Sequence, residues 1–382
     1  MSSAVIVGFK RSPFTISRKG ELANIRPEDI LSQVINDLIK SSNVNKNDIE
    51  DIIAGCAYPE GEQGYNIAKI VTFMTGMPEH VAGMTVNRWC GSSMQAIHNA
   101  TGAIATNSGN VFICCGIESM TKVPINGLNF SPHPDLNKSN PNVYLSMVNT
   151  AENVAKKYNL SRKEQQDFAI NSHKKANSAN INGFFKDEIT KIKIDGLIVE
   201  NDGAIRPNTS HEILNGLKLV FDDNGTITAG TASPLTDGAS ATLICNESYA
   251  KKNNLNIFAR IISTAVQGCP PELMGLGPIE ASKKALRRAN LTIEDIDVVE
   301  LNEAFASQSL ACIRDLAIDP IKVNIDGGSI ALGHPLGATG ARITAKAAQI
   351  LNRENKKYAL VTQCIGLGQG IATILENPNQ KF

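Results

Sequence analysis

Along the first 118 residues, short apolar runs alternate with segments whose apolar positions recur at helical spacing. Ala4-Val-Ile-Val-Gly reads as a buried strand. Pro27-Glu-Asp opens a helix with proline and acids in its first turn, and Leu31, Val34, Ile35, Leu38 and Ile39 give it one apolar stripe. Asp51-Ile-Ile-Ala-Gly predicts a second strand, Asn66 to Thr75 a second helix, and Val111-Phe-Ile-Cys-Cys-Gly a third strand. In Val86-Asn-Arg-Trp-Cys90-Gly-Ser-Ser-Met-Gln-Ala-Ile-His98 an apolar lead-in reaches a cysteine at a turn, and a small-residue helix leaves it. Strands alternating with helices imply an α/β protein whose parallel or mixed sheet is covered by helical layers.

The texture changes between Ser119 and Asn224. Pro, Asn and Ser crowd residues 124–142, which predicts loop. Helices are expected near 147–158 and 162–180, the second opened by the capping box Ser161-Arg-Lys-Glu164. Short strands, Pro207 and a turn at Asp222-Asp-Asn-Gly225 follow, and strand character returns at Ile227-Thr-Ala-Gly and Ala241-Thr-Leu-Ile-Cys. The remainder repeats the beginning. Arg260-Ile-Ile-Ser answers Val5-Ile-Val-Gly, the Pro278 helix answers the Pro27 helix, and Asp295-Ile-Asp-Val-Val-Glu answers Asp48-Ile-Glu-Asp-Ile-Ile. Val323-Asn answers Val86-Asn, and a strand at 358–362 answers that at 111–115. One supersecondary unit is used twice. The expected division is an N-terminal half at 1–118, completed by about 225–256, an inserted region at 119–224, and a C-terminal half at 257–382. Duplicated halves set equivalent strand ends side by side, so a site shared between them is expected.

Composition narrows the function classes. The chain has 382 residues, enough for two halves sharing a core, with 42% hydrophobic and 19% charged positions, as in ordinary globular proteins. Lys+Arg and Asp+Glu both number 37 and no basic block occurs. Nucleic acid is therefore not expected as a partner, and an anionic ligand must be held by local groups. No apolar run approaches the roughly 18 residues of a membrane span. The opening runs straight into a strand-like segment, leaving no room for a signal peptide. Eight cysteines without a C-x-x-C pair suit neither a disulfide framework nor a zinc site, so a cytoplasmic location is expected.

Candidate chemistry gathers at turns. A thiol at Cys90 would feel the positive end of the helix beginning beside it, which predicts a pKa below the free value of roughly 8.5. The same cysteine is also readable as a small buried hydrophobe. Leu301-Asn-Glu-Ala-Phe-Ala306 places polar residues at the end of an apolar strand. Gly328-x-x-x-x-Gly333 begins like a phosphate-binding loop, but His334-Pro335 replace the Lys-Ser/Thr pair, which argues against a nucleoside-triphosphate site. Glycines around His334-Pro335 suit a rigid turn presenting an imidazole. Those in Cys364-Ile-Gly366-Leu-Gly-Gln-Gly370 let backbone N–H groups converge, as an oxyanion hole requires. Each feature alone has a structural explanation; two cysteines, a histidine and an asparagine at strand ends together form a candidate site.

Across nearly its whole length the sequence resembles the thiolases. Asn87-Arg-Trp-Cys-Gly-Ser-Ser is similar to their nucleophile segment. Asn302-Glu-Ala-Phe-Ala, Gly327-Gly-Ser-Ile-Ala-Leu-Gly-His-Pro-Leu-Gly and Cys364-Ile-Gly-Leu-Gly-Gln-Gly are similar to three further catalytic loops. The resemblance implies a five-layer α-β-α-β-α sandwich of two halves with an inserted loop domain. It implies Cys90 as acyl-thioester nucleophile, His334 as its base and an oxyanion-hole member, and Cys364 as general acid/base. Asn302 would hold an oxyanion-hole water, and the backbone N–H groups of Gly366 and Cys90 would form a second hole. Coenzyme A enters as a substrate, with no tightly bound cofactor and no metal. It would lie on residues 119–224, with Arg206 near the nucleotide and Ser233 near the pantetheine, although Arg206 is also readable as a solvated surface charge.

The wording of Tyr65-Asn-Ile-Ala-Lys, Ser93-Met-Gln-Ala-Ile-His and the Cys364 loop is closest to bacterial fatty-acid β-oxidation thiolases. The implied activity is 3-ketoacyl-CoA thiolysis. Ser146 stands where short-chain acetoacetyl-CoA thiolases usually carry histidine, which weakens the alternative of a biosynthetic acetyl-CoA C-acetyltransferase. A homodimer or homotetramer is implied, and a complex with a hydratase/dehydrogenase β-oxidation subunit stays open. A ketoacyl synthase would pair its cysteine with two histidines. A cysteine-dependent acyl-CoA hydrolase built on Cys90, His334 and Asn302 would have no use for Cys364. A non-catalytic lipid-binding protein would need none of the four side chains.

Overall fold

The computed structural model describes residues 3–220 and 225–380; the turn expected at Asp222-Asp-Asn224 lies outside them. The strands are β1 (Ala4–Arg11), β2 (Thr15–Ile16), β3 (Asp51–Gly55), β4 (Ala82–Val86), β5 (Val111–Ser119), β6 (Ile192–Ile194) and β7 (Leu197–Val199). They continue as β8 (Thr236–Asn246), β9 (Ala259–Gly268), β10 (Val298–Leu301), β11 (Tyr358–Ile365) and β12 (Gln369–Glu376). The large sheet runs β4-β3-β5-β8-β1 and then β9-β12-β11-β10.

Strand directions carry the duplication. β3 is parallel to β5, β5 antiparallel to β8, and β8 antiparallel to β1. In the second half β10 is parallel to β11, β11 antiparallel to β12, and β12 antiparallel to β9. The two sets join where β1 meets β9, antiparallel, through only Val5↔Arg260 and Ile6↔Ala259. β4 pairs along its length with β3, whereas its expected counterpart at Val323 makes a single bridge to Val299.

Burial shows the layers. On one outer face, Ile30, Leu31, Val34, Ile35 and Leu38 of helix Pro27–Ser42 pack on Ile52, Ile113 and Leu243. Between the two halves of the sheet, helices Ser92–Ala105 and Leu336–Arg353 bring Met94, Ile97, Ile343 and Ile350 against Ile53 and Ile244 on one side and Val361 and Ile371 on the other. Helices Gly277–Ala289 and Ala306–Asp315 cover the far face, burying Leu286 and Ile313 with Val299, Leu360 and Ile374. Neighbours such as Ile52 and Ile53, or Leu360 and Val361, enter different cores because a strand turns successive side chains to opposite faces. The order is α-β-α-β-α. The Leu336–Arg353 helix is buried on nearly all sides, and it packs so close to β5 that Gly116 has no room for a Cβ against its Gly337 carbonyl.

Within the insertion, helices Met147–Lys157 and Arg162–Ile181 form as expected, and both halves of the Ser161–Glu164 capping box are made. Ile227-Thr-Ala-Gly departs from its expected strand. Thr228 makes one bridge to Leu219, the Thr231 N–H donates to the Thr228 carbonyl at 3.1 Å, and Thr231 Oγ1 accepts from the Thr228 N–H at 3.1 Å. These local bonds close a turn in place of a ladder. Buried charges, which the sequence pattern did not mark, pin the insertion to both halves. Arg11 of β1 lies 2.6 Å from Glu188 and 2.7 Å from Asp202, and Lys346 of the central helix pairs with Glu188 and lies 3.6 Å from Asp326. Removing one partner would leave an uncompensated charge, at a cost of about 3–5 kcal/mol.

Candidate active site

Two turns, each leading into a central-layer helix, bring their residues to one cavity. In the first, β4 ends at Val86 and Trp89 adopts a left-handed backbone (φ 45°). Asn87 braces the turn, its Oδ1 accepting from the Trp89 N–H at 2.8 Å and its Nδ2 donating to the Ala57 carbonyl at 3.0 Å. Ser92 Oγ accepts from the Arg88 N–H at 2.9 Å. Cys90 stands two positions ahead of helix Ser92–Ala105, and Gln363 Nε2 donates to its carbonyl.

In the second turn, His334 stands two positions ahead of helix Leu336–Arg353. Gly333 has φ 105°, and a Cβ there would come within 2.7 Å of Thr236 Cγ2, so glycine is required. The His334 N–H donates to Thr236 Oγ1 at 3.0 Å. Its Nδ1 lies 2.6 Å from Thr339 Oγ1, and its Nε2 lies 3.3 Å from Asn302 Nδ2. Asn302 follows β10; its N–H donates to the Thr362 carbonyl at 3.0 Å and its Oδ1 accepts from Ser329 Oγ at 2.6 Å. Its amide therefore touches the imidazole directly.

Two buried carboxylates brace these turns. Glu118 accepts from the N–H groups of Ala57 (2.8 Å), Tyr58 (3.2 Å) and Gly337 (2.8 Å) and from Gln63 Nε2 (2.7 Å), tying the end of β5 to the start of the His334 helix. Glu303 accepts from Ser172 Oγ (2.6 Å), Asn324 Nδ2 (2.7 Å) and the Ile330 N–H (3.2 Å), tying the insertion to the Asn302 loop.

Cys364 lies near the end of β11, before a hairpin turn in which Leu367 and Gly368 take positive φ (67° and 79°). The turn directs the Gly366 N–H at the Cys90 thiol. Cys90, His334, Cys364 and Ser233 line one cavity of about 540 Å³ with walls that include Trp89, Phe130, Tyr144, Met147, Met274 and Phe305. Cys90 is 8% exposed, His334 4%, and Asn302 and Cys364 1% each, so the cavity approaches reacting groups otherwise shut from water.

Burial governs the protonation states. The Cys90 thiol is pushed up to about 12 by desolvation, against which the Gly366 N–H works. This overturns the expected fall: the helix terminus does not outweigh the loss of water around a thiolate. Burial also raises Cys364 well above the ordinary thiol range and lowers His334 to about 3. Burial thus favours the neutral thiol and the neutral imidazole.

The structure brings together Cys90, His334, Cys364, Asn302 and Gly366. Ser233 lies at the cavity wall, its Oγ donating to the Ala304 carbonyl at 3.1 Å, and Ser146 lines the same wall while capping helix Met147–Lys157. Arg206 is exposed and lies outside the cavity lining. Sequence reasoning missed Glu118, Ser329, Thr339 and Gln363. Their signal was a polar side chain inside an otherwise apolar or small-residue element.

The family model described as "Thiolase, N-terminal domain" matches residues 4–248, and "Thiolase, C-terminal domain" matches residues 255–377. The chain is 45% identical to a 3-ketoacyl-CoA thiolase of Vibrio parahaemolyticus over 98% of both chains. It is 45% identical to one of Shewanella frigidimarina over 98% of this chain and 100% of that one. Crystal structures of human mitochondrial 3-ketoacyl-CoA thiolase superpose with a TM-score of 0.91 at 37% identity for the complex with CoA (98% of each chain). A second superposes with 0.90 at 36% identity (99% of each). With both family models matched and duplicated halves closing on one cysteine–histidine cavity, this chain belongs to the thiolase family.

Proposed function

We propose that this enzyme is an acyltransferase of the 3-ketoacyl-CoA thiolase type, cleaving 3-ketoacyl-CoA with CoA to acetyl-CoA and a shortened acyl-CoA, as in fatty-acid β-oxidation. The observation that carries the reading is the convergence of Cys90, His334 and Cys364 on one largely apolar cavity. In the degradative direction Cys90 sulfur attacks the C3 carbonyl while its proton passes to His334 Nε2. The C2–C3 bond then breaks, its electron pair leaves as the acetyl-CoA enolate, and Cys364 donates its thiol proton to C2. Incoming CoA gives its proton to the Cys364 thiolate and attacks the acyl-Cys90 thioester, and Cys90 recovers its proton from His334. The Gly366 and Cys90 N–H groups would hold one oxyanion; His334, with Asn302 beside it, would hold the other, either directly or through a water. Such donors are worth about 10²–10³ in rate each.

Residues 119–224 are the proposed CoA-binding loop domain, with Ser233 toward the pantetheine and Arg206 toward the nucleotide. CoA is a substrate in this scheme, and no step requires another cofactor. The cavity walls at Phe130, Tyr144 and Met147, and Ser146 in place of histidine, favour acyl chains longer than acetoacetyl. The sheet ends at β4, beside exposed Tyr65, Phe73, Met74 and Met84, which supports self-association through that edge into a dimer or a tetramer of dimers. Among the described residues no helix is long and apolar enough to cross a membrane, and the proposed location is the cytoplasm.

Incubation with 3-ketoacyl-CoAs of increasing length, with and without CoA, tests the activity. CoA-dependent cleavage that persists at longer chains is expected. Hydrolysis without CoA would overturn thiolysis, and activity on acetoacetyl-CoA alone would restore the short-chain alternative.

A further inference from the structure

The directions of the hydrogen bonds around the His334 ring follow from its Asn302 end. Thr339 Oγ1 lies 3.1 Å from the Pro335 carbonyl, which also accepts from the Ala338 and Thr339 N–H groups, so this contact alone leaves the hydroxyl proton free to go to the carbonyl or to the ring. The same Oγ1 lies 2.6 Å from His334 Nδ1. At the other end, Ser329 Oγ donates to Asn302 Oδ1, which turns the amide N–H toward Nε2 and requires a lone pair on that nitrogen. That leaves the ring proton on Nδ1, so Thr339 Oγ1 accepts there and sends its own proton to the Pro335 carbonyl. Thr339 is fully buried, which keeps water from competing for Nδ1.

We infer that Thr339 is a positioning residue that holds His334 in the tautomer able to take the Cys90 proton; the inference rests on the reading of His334 as base. Thr339 reaches Nδ1 because it lies one turn into the helix that His334 precedes, with its hydroxyl back-bonded four residues toward the N-terminus. As a neutral orienter it accepts from Nδ1–H in both the imidazole and the imidazolium, so it fixes geometry without the charge stabilisation a carboxylate would add. The imidazolium formed when Cys90 is acylated returns its proton when Cys90 leaves.

The test compares Thr339→Val and Thr339→Ser with wild type and His334→Ala. Acylation of Cys90 by an acyl-CoA is timed, and ¹⁵N-histidine spectra are recorded near pH 7. We expect Thr339→Val to slow acylation by roughly 10- to 10³-fold with KM little changed, and Thr339→Ser to restore most of the rate. The wild-type spectrum should show His334 protonated at Nδ1 and bare at Nε2, with the Nε2–H form appearing in Thr339→Val. A wild-type ring protonated at Nε2, or a folded Thr339→Val acylating at the wild-type rate, would overturn the inference. Should Thr339→Val not fold, the wild-type spectrum still decides. If His334→Ala acylates normally, the base assignment itself fails, an outcome distinct from failure at Thr339 alone.

Discussion

The Cys90 turn and the His334 turn occupy the same place in the two halves, each two positions ahead of a central-layer helix, yet they are built differently. The His334 side chain is held at both ring nitrogens, and its turn depends on a glycine at φ 105° beside Thr236. Around Cys90 the backbone is held instead, at its carbonyl by Gln363, and its thiol meets backbone N–H groups, those of Gly366 and of Cys90 itself. Duplication supplied two equivalent platforms on either side of one cavity. In the proposed mechanism one became a fixed base and the other an attacking group whose sulfur must change from thiol to thioester and back. A base needs orientation; a nucleophile needs room.

The largest test of this division removes the attacking atom. Cys90→Ala should lower turnover by roughly 10⁴-fold or more and abolish acyl-enzyme labelling; labelling that persists would move the nucleophile elsewhere. Cys364→Ala should leave labelling intact but reduce carbon–carbon cleavage by about 10²–10⁴-fold, and unaffected turnover would remove it from the mechanism. Gly333→Ala strikes the turn that presents His334. Strain at positive φ and the Thr236 contact should lower stability by about 1–3 kcal/mol in urea unfolding, and an unchanged midpoint would mean that the turn relaxes freely.

The smallest test separates the turns by pH. His334 is depressed to about 3, so its contribution is present above an unfolded value near 6.5 and is lost as pH falls toward 3. Relative to His334→Gln, wild-type stability should therefore fall by about 1.4 kcal/mol per pH unit between pH 6 and 4. Cys90 is raised to about 12, so its contribution is complete below roughly 8.5 and is lost as pH rises above that value. Relative to Cys90→Ala, wild type should thus weaken only on the alkaline side. Unfolding curves in which both differences ignore pH would show that neither group is buried in its neutral form.

Much of this architecture was legible in the chain. Apolar periodicity located β1, β3, β5 and helix Pro27–Ser42, and the repeat matched strands that prove equivalent in order and direction. Misreadings came where tertiary contacts outweighed local pattern. Ile227-Thr-Ala-Gly has strand composition, but Thr231 captures its backbone; Val323 has a strand's neighbours, but only one residue finds a partner. The buried ion pairs of Arg11, Glu188, Asp202 and Lys346 were invisible because burial of a charge depends on what packs over it.

By itself the sequence determined which side chains could do chemistry and that two halves would present them, since period, turn residues and motif order are local properties written along the chain. Only the tertiary structure decided their states. Desolvation raised the Cys90 thiol against the pull of its helix terminus, and a hydrogen-bond chain through Ser329, Asn302 and Thr339 selected one tautomer of His334. Both effects depend on water excluded and donors aligned by residues distant in sequence, and such quantities exist only after the chain has folded.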